Sequence, residues 1–316
     1  MYYKPDDIWD FYGAKTRTEY VDKYVIKGNF HNEVPQDIKE SYETAEYLMA
    51  HAYYHWPMFD EALRKILGIY EMAIKLKCQS LEISIEVETK NGNKKKKDLA
   101  ILIDQLIKEK GFPKELKYQL QGIRGLRNIL AHPEKHSFMG ALSSNTIIRT
   151  VNIINQLFLK SDWFHLEQKV LKKTLNESLN FKDELFVLNH NNERLLVCNL
   201  KPFFIFKVNN SWVQCWSFER LINNCSNLSF SDIPTSIFLF LKDIEIVGTC
   251  VNGIDFNSNL PLELELTKNP INIKKFEDHK FAFKSITDSD KQIFEQLKLT
   301  EKYNLIEKFM YKNCWN

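Results

Sequence analysis

Glycine and cysteine are both scarce in this chain. Only 10 of its 316 residues are glycine, and no glycine-rich loop of the kind that cradles phosphates is present. An ATP or dinucleotide site is therefore not expected. The six cysteines are scattered without a C-x-x-C pair, which argues against a disulfide framework and against a zinc site. We expect them to be reduced core residues, and we expect neither a cofactor nor a metal.

Long apolar runs are absent as well. No stretch reaches the length of a membrane-spanning helix, and the first seven residues lack the apolar core of a signal peptide. These absences predict a soluble, cytoplasmic protein without a membrane partner. With 44% hydrophobic and 13% aromatic residues, the chain can still bury a substantial core. Its length suits one large or two ordinary domains.

The most informative segment is Arg127-Asn128-Ile129-Leu130-Ala131-His132, which Pro133 follows. Apolar residues lead up to it at spacings of three and four, the pattern of an amphipathic helix. Pro133 cannot donate a backbone hydrogen bond, so the helix should stop at about His132. The side chains of Arg127 and His132 can then reach one groove at the helix terminus. An arginine that holds a phosphate and a histidine that moves the proton of a 2′-hydroxyl suit RNA cleavage.

This segment resembles the R-x4-6-H motif of the HEPN superfamily, in which a polar residue commonly follows the arginine. The resemblance covers about residues 35–160. It implies a four- to five-helix bundle, usually dimeric, with two Arg/His pairs facing each other across the dimer cleft. Many members are metal-independent endoribonucleases, and others only bind or scaffold. On the motif match, Arg127, Asn128 and His132 take the family's active-site positions.

The resemblance also implies a biological setting and partners. It suggests a bacterial toxin or antiphage defence effector, acting on RNA as a homodimer, with an inhibitory or activating protein partner. The alternative from another class is a non-catalytic nucleic-acid-binding or regulatory scaffold that uses the same basic surface.

Positive charge is concentrated around the motif. Residues 90–150 contain thirteen Lys and Arg against five Asp and Glu, whereas residues 163–316 contain nineteen of each. A local excess of positive charge is what a polyanion requires, because phosphate contacts supply most of the sequence-independent affinity for nucleic acids. The candidate RNA-binding residues are Lys114, Lys117, Arg124, Lys135 and Arg149.

Weaker candidates lie nearby. Glu43 or Glu46, on the first predicted helix of the bundle, could orient Arg127. His51 and His55 have the spacing of two metal ligands but lack a third ligand, so packing or surface roles are favoured. His136 could be a second proton-transfer group, although its position beside Lys135 favours an ordinary surface residue.

Periodicity predicts an α+β protein with two domains. Residues 1–162 form an aromatic N-terminal arm followed by an all-α, four- to five-helix bundle. Residues 163–316 form an antiparallel α+β accessory domain. Helices are predicted at 36–55, 58–78, 98–110, 113–132, 143–160, 164–178, 288–298 and 301–312. Strands are predicted at 82–89, 184–189, 193–198, 203–208, 212–217, 237–240, 244–250 and 262–267.

Overall fold

The chain mixes helices and antiparallel strands in two separate units. A computed structural model describes residues 3–88, 91–110, 112–131, 140–178, 181, 183–221 and 235–315. One unit comprises Met1–Phe164 together with Glu307–Asn316, and the other comprises His165–Ile306. None of the helices in these described ranges has the length and apolar character to cross a membrane. The α+β class predicted from the sequence is confirmed.

Where its residues are described, the first unit is helical apart from one small hairpin. A 3₁₀ turn, Gly140–Ser143, leads into its helix α7. Its other elements within the described residues are α1 (Ile8–Phe11), α2 (Arg17–Tyr24), α3 (Gln36–His51), α4 (Met58–Ser80), β1 (Glu86–Glu88), β2 (Lys94–Lys96), α5 (Leu99–Lys110), α6 (Lys114–Ala131) and α7 (Ser144–Phe158).

Helix α4 is central to this unit, because it contacts α3, α5, α6 and α7. Its apolar residues recur every three or four positions, and Ile66, Tyr70 and Ala73 are completely buried. Burial of such a stripe supplies most of the stability of a helix in a folded protein. The same periodicity predicted the helix from the sequence.

The N-terminal arm packs on α3 through aromatic side chains. Trp9 and Tyr20 are buried, and each donates a hydrogen bond to a backbone carbonyl near the end of α3. The indole Nε1 lies 2.9 Å from the oxygen of Ala52, and the Tyr20 hydroxyl lies 2.6 Å from the oxygen of Met49. Buried Trp and Tyr usually find such partners for their polar atoms. These hydrogen bonds hold the N-terminal arm on the helical bundle.

The last residues of the chain belong to the helical unit, whereas we expected them in the second domain. The buried side chain of Asn152, on α7, connects them to the helices. Its Nδ2 lies 2.6 Å from a carboxylate oxygen of Glu307, and its Oδ1 accepts from the indole of Trp315 at 2.7 Å. Both partners are buried. Such pairing avoids the cost of burying a polar group alone.

The second unit contains a closed six-stranded barrel. Every neighbouring pair of strands is antiparallel, as predicted, and the strand Phe186–His190 pairs with both Glu193–Val208 and Pro261–Leu266, which closes the sheet. Beyond the barrel strands, the described elements include α8, which begins in the first unit, and two late helices. The bounds are α8 (Ser161–Glu177), β3 (Phe186–His190), β4 (Glu193–Val208), β5 (Ser211–Arg220), β6 (Ile237–Val247), β7 (Cys250–Asp255), β8 (Pro261–Leu266), α9 (Pro270–Ser285) and α10 (Asp288–Asn313).

Long, irregular strands make the closure geometrically feasible. We predicted two strands where β4 is one, and its register against β5 shifts between Cys198 and Lys201 and again between Pro202 and Phe204. Asn199, within the first shift, has φ of 52°. Bulges of this kind bend a strand and increase its twist, which a barrel corner requires.

The short helices α1 and α2 of the arm were not predicted, and two helices near the end of the chain also differ from the sequence prediction. Helix α9 was missed, although Asn269 caps it by accepting from the Ile271 amide at 2.9 Å and Pro270 occupies its first turn. Asn followed by Pro is a recognised start of a helix. Helix α10 is continuous where two helices were predicted.

Candidate functional site

The motif helix α6 lies against α4 through an apolar face. Leu116, Leu120 and Ile123 are buried, at the three- and four-residue spacings read from the sequence. The buried hydroxyl of Tyr70 on α4 donates to the backbone oxygen of Leu120 at 2.6 Å. This bond and the apolar contacts fix α6 against α4, so the polar side chains bordering the contact have defined neighbours.

Arg127 borders that contact and forms an ion pair with Glu71 of α4. The distance from Arg127 Nη2 to Glu71 Oε2 is 2.6 Å. The other carboxylate oxygen of Glu71 lies 2.5 Å from Nζ of Lys75, one helical turn along α4. Two cations thus share one carboxylate, which leaves a formal excess of one positive charge in this cluster.

The environment of Glu71 keeps its carboxylate ionised. Burial alone would raise the pKa of Glu71, but the hydrogen bonds and positive charges of Lys75 and Arg127 outweigh burial and lower this pKa below its ordinary value. An ionised carboxylate can hold the guanidinium at neutral pH. Glu71 therefore fixes one edge of Arg127.

The remaining part of the Arg127 side chain is accessible. The whole side chain is 35% exposed, and its Nη1 lies 3.3 Å from the side-chain oxygen of the neighbouring Asn128. Asn128 is itself exposed. A guanidinium carries five N–H donors in a planar fork that matches phosphate oxygens. With one edge on Glu71, Arg127 retains donors for an anion at the surface.

The predicted proton-transfer group lies outside the described residues. Helix α6 is described as far as Ala131, one residue short of His132. The positions of His132, Lys135 and His136 are likewise outside the described ranges. The structure therefore places Arg127 and Asn128 of the three motif residues.

The other candidate RNA-binding residues have different surroundings. Lys117 is 42% exposed and pairs with Asp104 of α5 at 3.0 Å. Arg124 donates from Nε to the Gln121 side chain at 2.6 Å. Lys114 starts α6, and nothing further is described of its side chain.

Arg149 lies in a structural setting. Its Nε is 3.4 Å from Oε1 of Glu307, whose side chain is only 5% exposed. Glu307 belongs to the buried network around Asn152, so Arg149 contributes to holding the C-terminal segment on α7. The basic stretch of the sequence thus contains arginines with different environments.

The carboxylate beside Arg127 comes from α4, whereas we expected it from α3. Glu46 of α3 instead accepts a hydrogen bond from the Gly28 amide at 2.6 Å, and Glu43 is exposed. His51 is also engaged locally, since its Nδ1 lies 2.8 Å from the Tyr47 oxygen. Glu71 was not predicted from the sequence. The signal for it was its place directly after Tyr70, an apolar-face residue of α4, which puts a charged side chain at the border of the buried face.

No family model, curated protein or solved structure matches this chain. The site must therefore be interpreted from its own residues.

Proposed function

We propose that this protein is a metal-independent endoribonuclease of the HEPN type, with Arg127, Asn128 and His132 as its active-site residues. The observation that carries the proposal is the guanidinium of Arg127. It lies 2.6 Å from an ionised Glu71, and the Arg127 side chain as a whole is about a third exposed. His132 follows five residues later in the sequence. A fixed, accessible arginine near a histidine is the minimum that cleavage of RNA by its own 2′-hydroxyl needs.

The proposed reaction is an internal transesterification. His132 accepts the proton of a ribose 2′-hydroxyl, and that oxygen forms a bond to the adjacent phosphorus. The bond from phosphorus to the 5′-oxygen breaks, and this oxygen takes a proton from a second, protonated His132 imidazole supplied by the other copy of the chain. The products are a 2′,3′-cyclic phosphate and a 5′-hydroxyl. Arg127 stabilises the added negative charge on the phosphate oxygens, and Asn128 positions the phosphate or the imidazole.

Charge around the cluster supports an RNA substrate. Lys75 and Arg127 outnumber Glu71, and the three lysines of β2 are exposed. In the sequence, residues 90–150 carry an excess of eight positive charges, thirteen minus five. Polyanions bind such surfaces with an affinity that falls steeply as salt is added.

We further propose that the enzyme is a homodimer formed through α6. The solvent-facing side of α6, away from its contact with α4, carries Tyr118 and Ile129, which are 74% and 68% exposed. Between them lie Gly122 and Gly125, where an added Cβ would meet nothing within 4 Å. Large apolar side chains exposed around a smooth helical surface favour close approach of a second helix. The dimer would bring two His132 imidazoles together, one as base and one as acid.

Size-exclusion chromatography with light scattering tests the dimer. Ile129→Arg should convert the dimer to a monomer and abolish cleavage, because it places a charge in an apolar interface. Ile101→Arg is the matched control, since Ile101 is 47% exposed on α5 and lies outside the proposed interface. A wild-type protein that is monomeric at high micromolar concentration would contradict this part of the proposal.

Incubation with total RNA in EDTA tests the enzyme. The wild type should cleave and leave cyclic-phosphate ends, whereas Arg127→Ala and His132→Ala should each lose about 100-fold or more in rate. Exposed His165 and Arg220 offer matched controls, and His165→Ala and Arg220→Ala should retain activity. RNA affinity should remain largely intact in His132→Ala.

A non-catalytic scaffold would give a different pattern. No wild-type cleavage would be seen, and Arg127→Ala would weaken RNA binding and reduce its salt slope by about one. Expression in bacteria tests the biological role, a toxin or antiphage effector restrained by a partner protein. Growth arrest by the wild type and normal growth with His132→Ala are the expected results.

A further inference from the structure

One end of the barrel carries an open cleft of about 700 Å³. The β3–β4 turn lies on one side of it, and the ends of β7 and β8 lie on the other. The turn residues Asn191 and Asn192 have φ of 52° and 61°, the left-handed pair that a tight two-residue hairpin requires. All of the lining residues belong to the second unit, so the cleft is separate from the residues of the proposed nuclease site.

A polar pair sits at this end of the barrel, with Asp255 buried and the His190 side chain 19% exposed. His190 has the same strand parity as the core residues Phe186 and Leu188, and Asp255 has that of core residue Val251. His190 Nε2 lies 3.7 Å from Asp255 Oδ2, which is beyond hydrogen-bond distance. Asp255 is 4% exposed, and its Oδ2 already accepts from the Ser258 amide and hydroxyl.

Two atoms of this pair lack partners. His190 Nε2 and Asp255 Oδ1 are buried and have no hydrogen-bond partner among the described residues. Buried polar atoms are nearly always paired in folded proteins. His190 lines the cleft, so a group bound there can reach the imidazole. A hydroxyl suits the His190 imidazole, because it can donate to one ring nitrogen or accept from a ring N–H.

The rest of the lining favours the same chemistry. The amides of Asn189, Asn192 and Asn252 each offer a donor and an acceptor to neighbouring hydroxyls. The lining contains one arginine, Arg194, and two glutamates, Glu193 and Glu263, so it has no excess of positive charge to hold a phosphorylated ligand. Leu260 and Pro261 supply apolar surface for the C–H face of a ring.

We infer that this cleft binds a small, neutral ligand with vicinal hydroxyl groups. The volume lies within the range of about 300–1,000 Å³ that small-molecule sites occupy. A saccharide and the ribose of an unphosphorylated nucleoside share this chemistry. The accessory domain then acts as a ligand sensor, and this role does not depend on the nuclease proposal.

Ligand-observed NMR on the full-length protein tests the inference. The probes are a set of pentoses, hexoses and amino sugars in one arm, and unphosphorylated ribonucleosides in the other. 2′,3′-Dideoxyadenosine serves as the ligand that lacks the diol. Saturable binding should appear in one arm and be absent for the dideoxy compound.

Variants locate the binding. Asn192→Gly removes an amide while glycine keeps the positive φ, and Asn189→Ala removes a second amide. Each should weaken binding about five- to tenfold, the loss of one hydrogen bond. Asn210→Ala is the matched control, because it removes an asparagine from the next hairpin turn, outside the cleft. It should bind like the wild type, and thermal melting should show that all three variants fold.

Binding in the sugar arm alone would assign a saccharide, and binding in the nucleoside arm alone would assign ribose. Absence of saturable binding in both arms would overturn the inference. So would binding that neither Asn189→Ala nor Asn192→Gly weakens, or equal binding of the dideoxy compound.

Discussion

Glu71 is the residue whose substitution separates a positioning role from a purely structural one. Glu71→Gln removes the negative charge while keeping the shape of the side chain. In the wild type, one oxygen of Glu71 lies 2.6 Å from Arg127 and the other 2.5 Å from Lys75. The three side chains are 21%, 35% and 34% exposed, so solvent screens these pairs. We expect the free energy of unfolding to fall by about 1 kcal/mol.

The effect on catalysis should be larger than the effect on stability. Without its carboxylate, Arg127 samples several rotamers, and misplacement of a phosphate-binding group by about 1 Å can cost about 100-fold in rate. We therefore expect cleavage by Glu71→Gln to fall about 10- to 100-fold in a fluorogenic RNA assay. In Arg127→Ala, adding Glu71→Gln should change little, because the group to be positioned is already gone.

The pH dependence of stability provides a second readout. Because the pKa of Glu71 is lowered in the folded protein, its stabilising contribution is present above the pKa of the unfolded chain. This contribution is lost as the pH falls through the lowered pKa that Glu71 has in the folded protein. Urea unfolding of wild type and Glu71→Gln should therefore differ at pH 7 and converge below about pH 4.

Glu61 of the same helix supplies the matched control. It pairs with Arg64 three residues away, is 55% exposed and does not contact Arg127 among the described ion pairs. Glu61→Gln should retain full cleavage and change the free energy of unfolding by less than about 0.5 kcal/mol. Full activity of Glu71→Gln, or equal losses in both variants, would refute a positioning role for Glu71.

Three further predictions concern the packing of each unit. Gly140→Ala should destabilise the protein by about 2 kcal/mol or more in urea unfolding, because the φ of Gly140 is +49° and an added Cβ would lie 1.7 Å from the Trp56 side chain. Gly68→Ala is the control and should be neutral or stabilising, because its Cβ would meet nothing within 4 Å. Burial raises the pKa of Glu307 in the folded protein, so the contribution of Glu307 to stability is lost as the pH rises through the raised pKa. Glu307→Gln should therefore raise Tm more at pH 8 than at pH 5. A Tm difference that is the same at both pH values would contradict this prediction. Burial raises the pKa of Cys198 to about 12, so iodoacetamide at pH 7 should leave this thiol unmodified in peptide mapping of the native protein.

Features set by neighbouring residues were predictable from the sequence. The helical period of α4 and α6 comes from the burial of one face, and such a pattern is visible without knowing the partner. The turn at Asn191-Asn192 is predictable for a similar reason, because it lies between the predicted strands 184–189 and 193–198 and asparagine tolerates the left-handed conformation. Features set by distant contacts were not predictable. Closure of the barrel depends on pairing of β3 with β8, and the sequence of neither strand predicts which strand it pairs with.

In the candidate site, too, local features could be predicted from the sequence and distant contacts could not. The motif supplied Arg127 and Asn128, but the carboxylate that holds Arg127 is far away in the chain, and its identity depends on how α4 and α6 pack. Counting charges also grouped Arg127 with Arg149, which the folded chain separates. Glu71, with a lowered pKa and partial exposure, leaves Arg127 charged, fixed and reachable at the surface.

Glu307 has the opposite environment to Glu71. It is buried with a raised pKa, and it holds Arg149 within the network that anchors the C-terminal segment. Arg127 and Arg149, which lie in one basic stretch of the sequence, thus pair with carboxylates of different burial: Glu71 is partly exposed, and Glu307 is buried. The two arginine side chains are similarly exposed, at 35% and 39%, so their own accessibility does not separate them. The burial of the partner carboxylate does, because it shows that Arg149 is tied to the buried network of the C-terminal segment. That criterion favours Arg127 over Arg149 as the phosphate-binding residue.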